Sequence, residues 1–101
     1  DKLLPPFGVY ITETEWKERL CPGITNLGRK PTVEGENPIG VETHLFDVSE
    51  DMYGENVRIR FLEFVRPEQR FPSLTELKEQ MQRDIAYGKR YFNMGKGVQE
   101  N

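Results

Sequence analysis

Residues 57–91 read VRIRFLEFVRPEQRFPSLTELKEQMQRDIAYGKRY, a strand pattern followed by a helix pattern. Over residues 57–65 apolar side chains alternate with charged ones, which is typical of a half-buried β-strand. Side chains alternate between the faces of a strand, so this pattern puts Phe61 and Phe64 on opposite faces. Residues 66–72 contain two prolines and are expected to form a loop.

A single helix is predicted to follow this loop and to end near Tyr91. Ser73 is a favourable N-cap residue, and Glu76 three positions later completes a capping box. Apolar residues then recur at spacings of three and four, which gives the helix one apolar stripe expected to pack over one opening or side of the domain. The stripe consists of Leu74, Leu77, Met81 and Ile85.

Three segments before residue 57 also predict strands. Residues 8–15, GVYITETE, alternate between apolar and polar side chains. Residues 16–28 include a proline and a glycine, so we expect a second strand with a bend or bulge. Residues 40–47, GVETHLFD, predict a third strand. Several short strands followed by one helix predict a mainly β domain, a small antiparallel barrel or sandwich with a C-terminal α-helix.

Composition limits the classes of function. A chain of 101 residues is expected to form one domain, and its net charge of −3 with no basic stripe argues against nucleic-acid binding. One cysteine, Cys21, cannot form an intrachain disulfide and fits a reducing compartment. No run approaches the roughly 20 apolar residues of a membrane span. We therefore expect a cytoplasmic protein with no membrane partner.

The strand GVETHLFD carries the most informative polar residues. Glu42, His44 and Phe46 share one face of an extended chain. From the residues alone, Glu42 is either a carboxylate on the wet face of a sheet or a general base that the strand holds rigidly. The lone His44 has no histidine or cysteine partners at metal-binding spacing, so a zinc site is not indicated.

Two other segments could contact a ligand. The segment NLGRKPT, residues 26–32, combines a glycine, two cations and a hydroxyl, and is either an anion contact or an ordinary turn. Arg66, just before Pro67 and a turn, is a candidate for holding a ligand. Neither a P-loop nor a G-x-G-x-x-G motif is present.

Several motifs together resemble the riboflavin kinase domain. They are GVETHLFD, DMYG and VRIRFLEFVRPEQRFPSLTELKEQMQRDI, preceded by PPFGVY and CPGITNLGRKPT. In bacteria this domain is usually the C-terminal half of the bifunctional riboflavin kinase/FMN adenylyltransferase, or FAD synthetase. The resemblance runs from about Pro5 to about Ile85. It implies a small six-stranded antiparallel Greek-key barrel with a C-terminal helix.

The resemblance also implies an activity and its residues. The reaction transfers the ATP γ-phosphate to the 5′-hydroxyl of riboflavin, with Mg²⁺, to give FMN, and the family's catalytic base corresponds to Glu42. Arg66, Phe71 and Leu74 lie in the segment that resembles the family's flavin-side loop, and Asn26 and Thr32 in the segment near the nucleotide. For His44 and Phe46 we expect structural support of the strand.

One family motif is missing from the quoted sequence. The P-T-A-N motif, whose threonine and asparagine bind Mg²⁺ and the ATP phosphates, precedes the first G-V-Y strand in the family. We therefore expect residues 1–92 to be a kinase domain that lacks its N-terminal strand and metal ligands, with a flexible tail at 93–101. An adenylyltransferase domain is the expected neighbour in a longer parent chain. The alternative is a fragment that binds flavin or nucleotide, or serves as an interaction domain, without catalysis.

Overall fold

The fold is one antiparallel sheet covered on one face by a C-terminal helix. The computed structural model describes residues 5–29, 38–48 and 56–93. The strands lie side by side in the order β3-β2-β1-β4, so β4 returns beside β1 as in a Greek key. The predicted mainly β architecture with a C-terminal helix is confirmed. The elements are β1 (Gly8–Trp16), β2 (Arg19–Arg29), β3 (Ile39–Leu45), β4 (Arg58–Pro67) and α1 (Leu74–Tyr91).

A two-residue turn joins β1 to β2. Lys17 and Glu18 both have positive φ angles, 51° and 62°, the combination that a type I′ hairpin turn requires. Such a turn matches the right-handed twist of the strands, so β2 pairs with β1 without interruption from Arg19 to Leu27. Of the bend or bulge expected in the second strand, the bulge is wrong, since β2 also keeps an unbroken register with β3.

The irregular pairing lies between β1 and β4 instead. Tyr10 is opposite Phe64 and Thr12 is opposite Phe61, with register shifts before Tyr10 and after Ile11. The extra residues on β4 break the simple alternation, as a β-bulge does. Phe61 and Phe64 therefore both contact Tyr10 edge-on, at ring-centroid distances of 5.0 and 5.2 Å. Their predicted placement on opposite faces is wrong.

Helix α1 has the predicted bounds. The Ser73 side chain accepts a hydrogen bond from the Glu76 backbone N–H at 3.2 Å, which confirms the N-cap. Lys89 and Arg90 occupy the last turn, where positive charge interacts favourably with the helix dipole. Asn93 follows the helix with a φ of 63°, a left-handed conformation common just after helix ends.

The helix packs on the sheet through Gly88 and through only part of its apolar stripe, of which Ile85 contacts the core. Gly88 is buried, and a β-carbon added there would lie 2.7 Å from Cζ of Phe46. Phe46 is 2% exposed and joins Val9 and Ile24 in the core between sheet and helix. By contrast, Leu74 at the start of the stripe is 64% exposed, so the stripe covers the sheet only in part.

A second contact fixes the C-terminal half of the helix to the edge strand. The Tyr87 hydroxyl donates a hydrogen bond to the Glu63 carboxylate. This bond, with a smaller contribution from burial, raises the pKa of the Tyr87 hydroxyl above its usual value of 10.0. The helix is therefore joined both to the core and to β4.

On the opposite face of the sheet, hydrogen bonds between threonine hydroxyls link β1, β2 and β3. Thr25 on β2 is 2.9 Å from the Thr12 hydroxyl and 2.7 Å from the Thr43 hydroxyl. Thr12 and Thr25 are fully buried, so these hydrogen bonds satisfy polar groups that have no access to water. The bonds run across the ladder and help to hold β3, which carries Glu42, in register.

Candidate active site

A cleft of about 790 Å³ opens between the sheet, the helix and the loop after β4. Side chains on β2 and β3 form one wall, residues 68–71 form the opposite wall, and α1 contributes Leu77, Met81 and Ile85. The volume falls within the range of small-molecule sites. Three members of the predicted apolar stripe thus line a cavity, which explains why part of the stripe is uncovered.

Glu42 and Asn26 lie on the strand wall of the cleft. They are directly opposite each other in the β2–β3 ladder, and both are exposed. Cross-strand partners project from the same face, with Cβ atoms about 5 Å apart. The structure therefore brings together two residues that the sequence placed 16 positions apart. The carboxylate at this position sits on a hydrogen-bonded strand rather than on a loop.

Neighbouring residues of the GVETHLFD strand take different roles. His44 is exposed and lines the cleft, while Phe46 lies just past the end of β3 in the core. The Phe46 backbone N–H donates to the Pro22 carbonyl at 2.9 Å, and its ring is 5.9 Å from that of His44. Phe46 therefore anchors the end of β3 in the core, whereas His44 is available to a ligand in the cleft.

Arg66 and Phe71 lie on the side of the cleft opposite β2 and β3. Arg66 belongs to the last part of β4, although residues 66–72 were predicted as a loop, and the loop begins at Glu68. Its guanidinium carbon lies 5.8 Å from the centre of the Phe71 ring, close enough for a cation–π contact. Both residues line the cleft with Glu42 and Asn26.

Two predicted residues are not part of this arrangement. Leu74 is exposed at the first turn of α1 and is not among the residues that line the cleft. Leu77, one turn further along, occupies the wall instead. Thr32 lies outside the described residues.

Sequence reasoning missed Asp84, which is 6% exposed and lines the cleft. Its carboxylate accepts hydrogen bonds from Arg66, with Nη2 at 2.7 Å and Nε at 3.2 Å, and from Gln80 at 2.9 Å. An acidic residue beside the apolar stripe, four positions after a glutamine, was the available signal. Its partner on β4 is 18 residues away and could not be identified from spacing.

In the described parts of the chain, no group of three or more histidine, cysteine, aspartate or glutamate side chains could hold a metal ion. Mg²⁺ often relies on one or two carboxylates together with substrate phosphates. The described residues therefore do not assemble a metal site by themselves.

Comparison with known proteins identifies the family. The family model for flavokinase, described as riboflavin kinase, matches residues 1–92. The chain belongs to the riboflavin kinase family. The chain is 37% identical over 90 residues to the bifunctional riboflavin kinase/FMN adenylyltransferase of Haemophilus influenzae. It is 40% identical over 93 residues to the corresponding protein of Escherichia coli K12. The resemblance inferred from the sequence motifs is confirmed.

Coverage of these relatives is unequal. The alignments with the Haemophilus influenzae and Escherichia coli proteins include 88% and 91% of this chain, respectively. Each covers only 29% of the length of the relative. A solved structure described as a macrolide-efflux protein from Streptococcus pneumoniae also matches, with a TM-score of 0.75 and 27% identity. The match covers 85% of this chain and 28% of that one. Because one fold can host different functions, that description is not carried over to this chain.

No helix within the described residues has the length and apolar content needed to cross a membrane.

Proposed function

We propose that this chain is a riboflavin kinase unit, which transfers the γ-phosphate of ATP to the 5′-hydroxyl of riboflavin and releases FMN and ADP. The observation that carries this proposal is the cleft itself. In a member of the riboflavin kinase family, one cavity is lined by Glu42, Asn26, Arg66 and Phe71, which come from two strands of the sheet, the end of a third and a loop.

Glu42 is the proposed general base. A base must lie within hydrogen-bond reach of the proton it removes, and a strand holds a carboxylate in a fixed position. As the 5′-oxygen forms its bond to the γ-phosphorus, the bond from that phosphorus to the bridging oxygen of ADP breaks, and Glu42 accepts the hydroxyl proton. Phosphoryl transfer depends mainly on positioning and charge, so one well-placed carboxylate is a sufficient base.

The helix and loop side of the cleft suits the flavin ring. Phe71, Leu77 and Met81 offer aromatic and apolar surface, which a flat isoalloxazine ring can cover. Arg66 and Gln69 provide polar groups for the ring edge. Leu74, which lies one turn before Leu77, would contact only a ring that extends beyond the cleft.

The nucleotide is proposed to approach from the strand wall. Asn26 lies there beside Glu42, and Thr32 follows β2 in sequence. ATP enters this scheme as the phosphate donor, and Mg²⁺, when bound to it, supplies charge neutralisation.

We also propose that this unit works within a longer, cytoplasmic enzyme. The relatives are named for two activities, riboflavin kinase and FMN adenylyltransferase, and the matched part is 29% of their length. An adenylyltransferase domain is therefore the proposed neighbour. Residues 1–92 would form the kinase domain and 93–101 its tail.

The test is conversion of riboflavin to FMN with ATP labelled in its γ-phosphate. The proposal expects label to appear in FMN in proportion to ADP formed, which chromatography of the flavins measures. A protein that binds riboflavin, shown by saturable quenching of flavin fluorescence, but never labels it would be a binding module instead. A folded protein with neither binding nor turnover would contradict both.

A further inference from the structure

Asp84 is a nearly buried charge in the middle of α1, and the structure surrounds it with donors. Both carboxylate oxygens lie 3.2 Å from Nε of Arg66, and Oδ2 also accepts from Nη2 at 2.7 Å. Oδ1 accepts a further bond from Gln80 at 2.9 Å. Because its oxygens are already engaged by protein donors, Asp84 is poorly placed to bind a substrate directly.

The ion pair sits where three elements meet. Arg66 is the penultimate residue of β4, opposite Val9, and its Nη1 donates to the Pro67 carbonyl at 3.3 Å. The same guanidinium is 5.8 Å from the Phe71 ring in the loop. Asp84 thus connects the helix, the strand end and the loop wall of the cleft through one side chain.

We propose that Asp84 is a positioning residue for the riboflavin subsite, which fixes the orientation of Arg66 and, through it, of Phe71. This inference rests on the proposed kinase function. The helix has other attachments to the sheet, namely the Tyr87–Glu63 hydrogen bond and the packing of Gly88 on Phe46. Loss of the Asp84 charge should therefore loosen residues 68–71 locally rather than release the whole helix.

The first test is the steady-state kinetics of Asp84→Asn in the full-length protein. The amide keeps the shape of the carboxylate but loses its charge, and it turns an N–H group towards the guanidinium donors. We expect the KM for riboflavin to rise about tenfold, with the KM for ATP within about twofold and kcat within about threefold of wild type. Gln80→Ala, which removes one bond and no charge, should give a smaller rise in the same constant.

A matched control separates charge from position. Glu79→Gln removes one negative charge from the same helix, but Glu79 is exposed and does not line the cleft. It should leave both KM values unchanged. An equal effect of Glu79→Gln and Asp84→Asn would overturn the proposal, because net charge alone would then explain the result.

Hydrogen exchange gives a readout that does not depend on activity. In Asp84→Asn, amides of residues 68–71 should exchange at least about tenfold faster, while those of Tyr10 and Ile11 in β1 keep their wild-type rates. Equal acceleration in both regions, or in neither, would overturn the positioning role. If wild-type protein makes no FMN, the kinase proposal fails, and the exchange pattern still decides whether Asp84 orders the loop.

Discussion

Glu42 on β3 lies directly opposite Asn26 on β2, and both side chains line the same cleft. The ladder fixes this relationship, since a slip of one residue would move Glu42 to the opposite face of the sheet. The Thr25–Thr43 hydrogen bond, next to this pair in the ladder, opposes such a slip. Placement of the proposed base is therefore a consequence of strand register rather than of loop conformation.

Removal of one partner of the Arg66–Asp84 pair should destabilise the protein, because the other charge then stays buried without compensation. Their side chains are 18% and 7% exposed, so Arg66→Met leaves a buried carboxylate without its partner. We expect a loss of about 3 kcal/mol in the free energy of unfolding, measured by urea titration. The double variant Arg66→Met/Asp84→Leu should lose less than the single one, since no unpaired charge remains. A double variant that is less stable than Arg66→Met would contradict this account.

Gly88→Ala should destabilise the packing of the helix on the sheet. The new methyl group would meet the Phe46 ring at 2.7 Å, where the ring is held in the core. Overpacking typically costs about 1–3 kcal/mol, which exceeds the gain of at most about 1 kcal/mol in helix propensity. A lower thermal midpoint is expected, while Gln82→Ala at an exposed helix position serves as control. A stabilised Gly88→Ala would show that the contact is looser than described.

Gly28→Ala should affect the cleft more than stability. A β-carbon at Gly28 would lie 1.5 Å from Oε2 of Glu68, so the flexible Glu68 side chain must move. Glu68 lines the cleft, and its displaced carboxylate is expected to weaken riboflavin binding severalfold in a fluorescence titration. Gly28→Ala/Glu68→Ala should restore the affinity. If the double variant binds as weakly as the single one, displacement of Glu68 is not the cause.

The Tyr87 hydroxyl should ionise at a higher pH than the hydroxyl of an ordinary tyrosine. The bond to Glu63 favours the neutral hydroxyl and raises its pKa in the folded state above 10.0. The resulting stabilisation is complete below about pH 10 and is lost as pH rises through the folded pKa, because the unfolded chain ionises first. Absorbance titration at the tyrosinate band should lose one of its late steps in Tyr87→Phe, and the same step should move to lower pH in Glu63→Gln. An unchanged titration in Glu63→Gln would contradict the assigned cause.

Local signals in the sequence predicted the elements well. Ser73 and Glu76 predicted the helix start because capping depends on neighbouring residues only. Alternation predicted the strands, but it failed where extra residues on β4 put Phe61 and Phe64 on one face. Bulges depend on how two strands pair, and a single strand pattern does not contain that information.

The site was only partly predictable for the same reason. Motif resemblance selected Glu42, Asn26, Arg66 and Phe71, and the fold places all four around one cleft. Asp84 was missed because its partner is distant in sequence. Leu74 was included because it lies in the segment that resembles the family's flavin-side loop, and such a resemblance does not show which side chains line the cleft. Gly88 gave no signal at all, since its role depends on the Phe46 ring above it.

The most direct test of the central claim compares Glu42→Gln with wild type in a single-turnover assay of FMN formation from bound riboflavin and ATP. An isosteric amide cannot accept the hydroxyl proton, so the rate should fall by about 10²–10⁴, while the riboflavin Kd stays within about twofold of wild type. Glu76→Gln, an exposed acid at the start of α1, provides the control and should react at the wild-type rate. Near-normal turnover of Glu42→Gln would contradict the role assigned to Glu42 as the catalytic base.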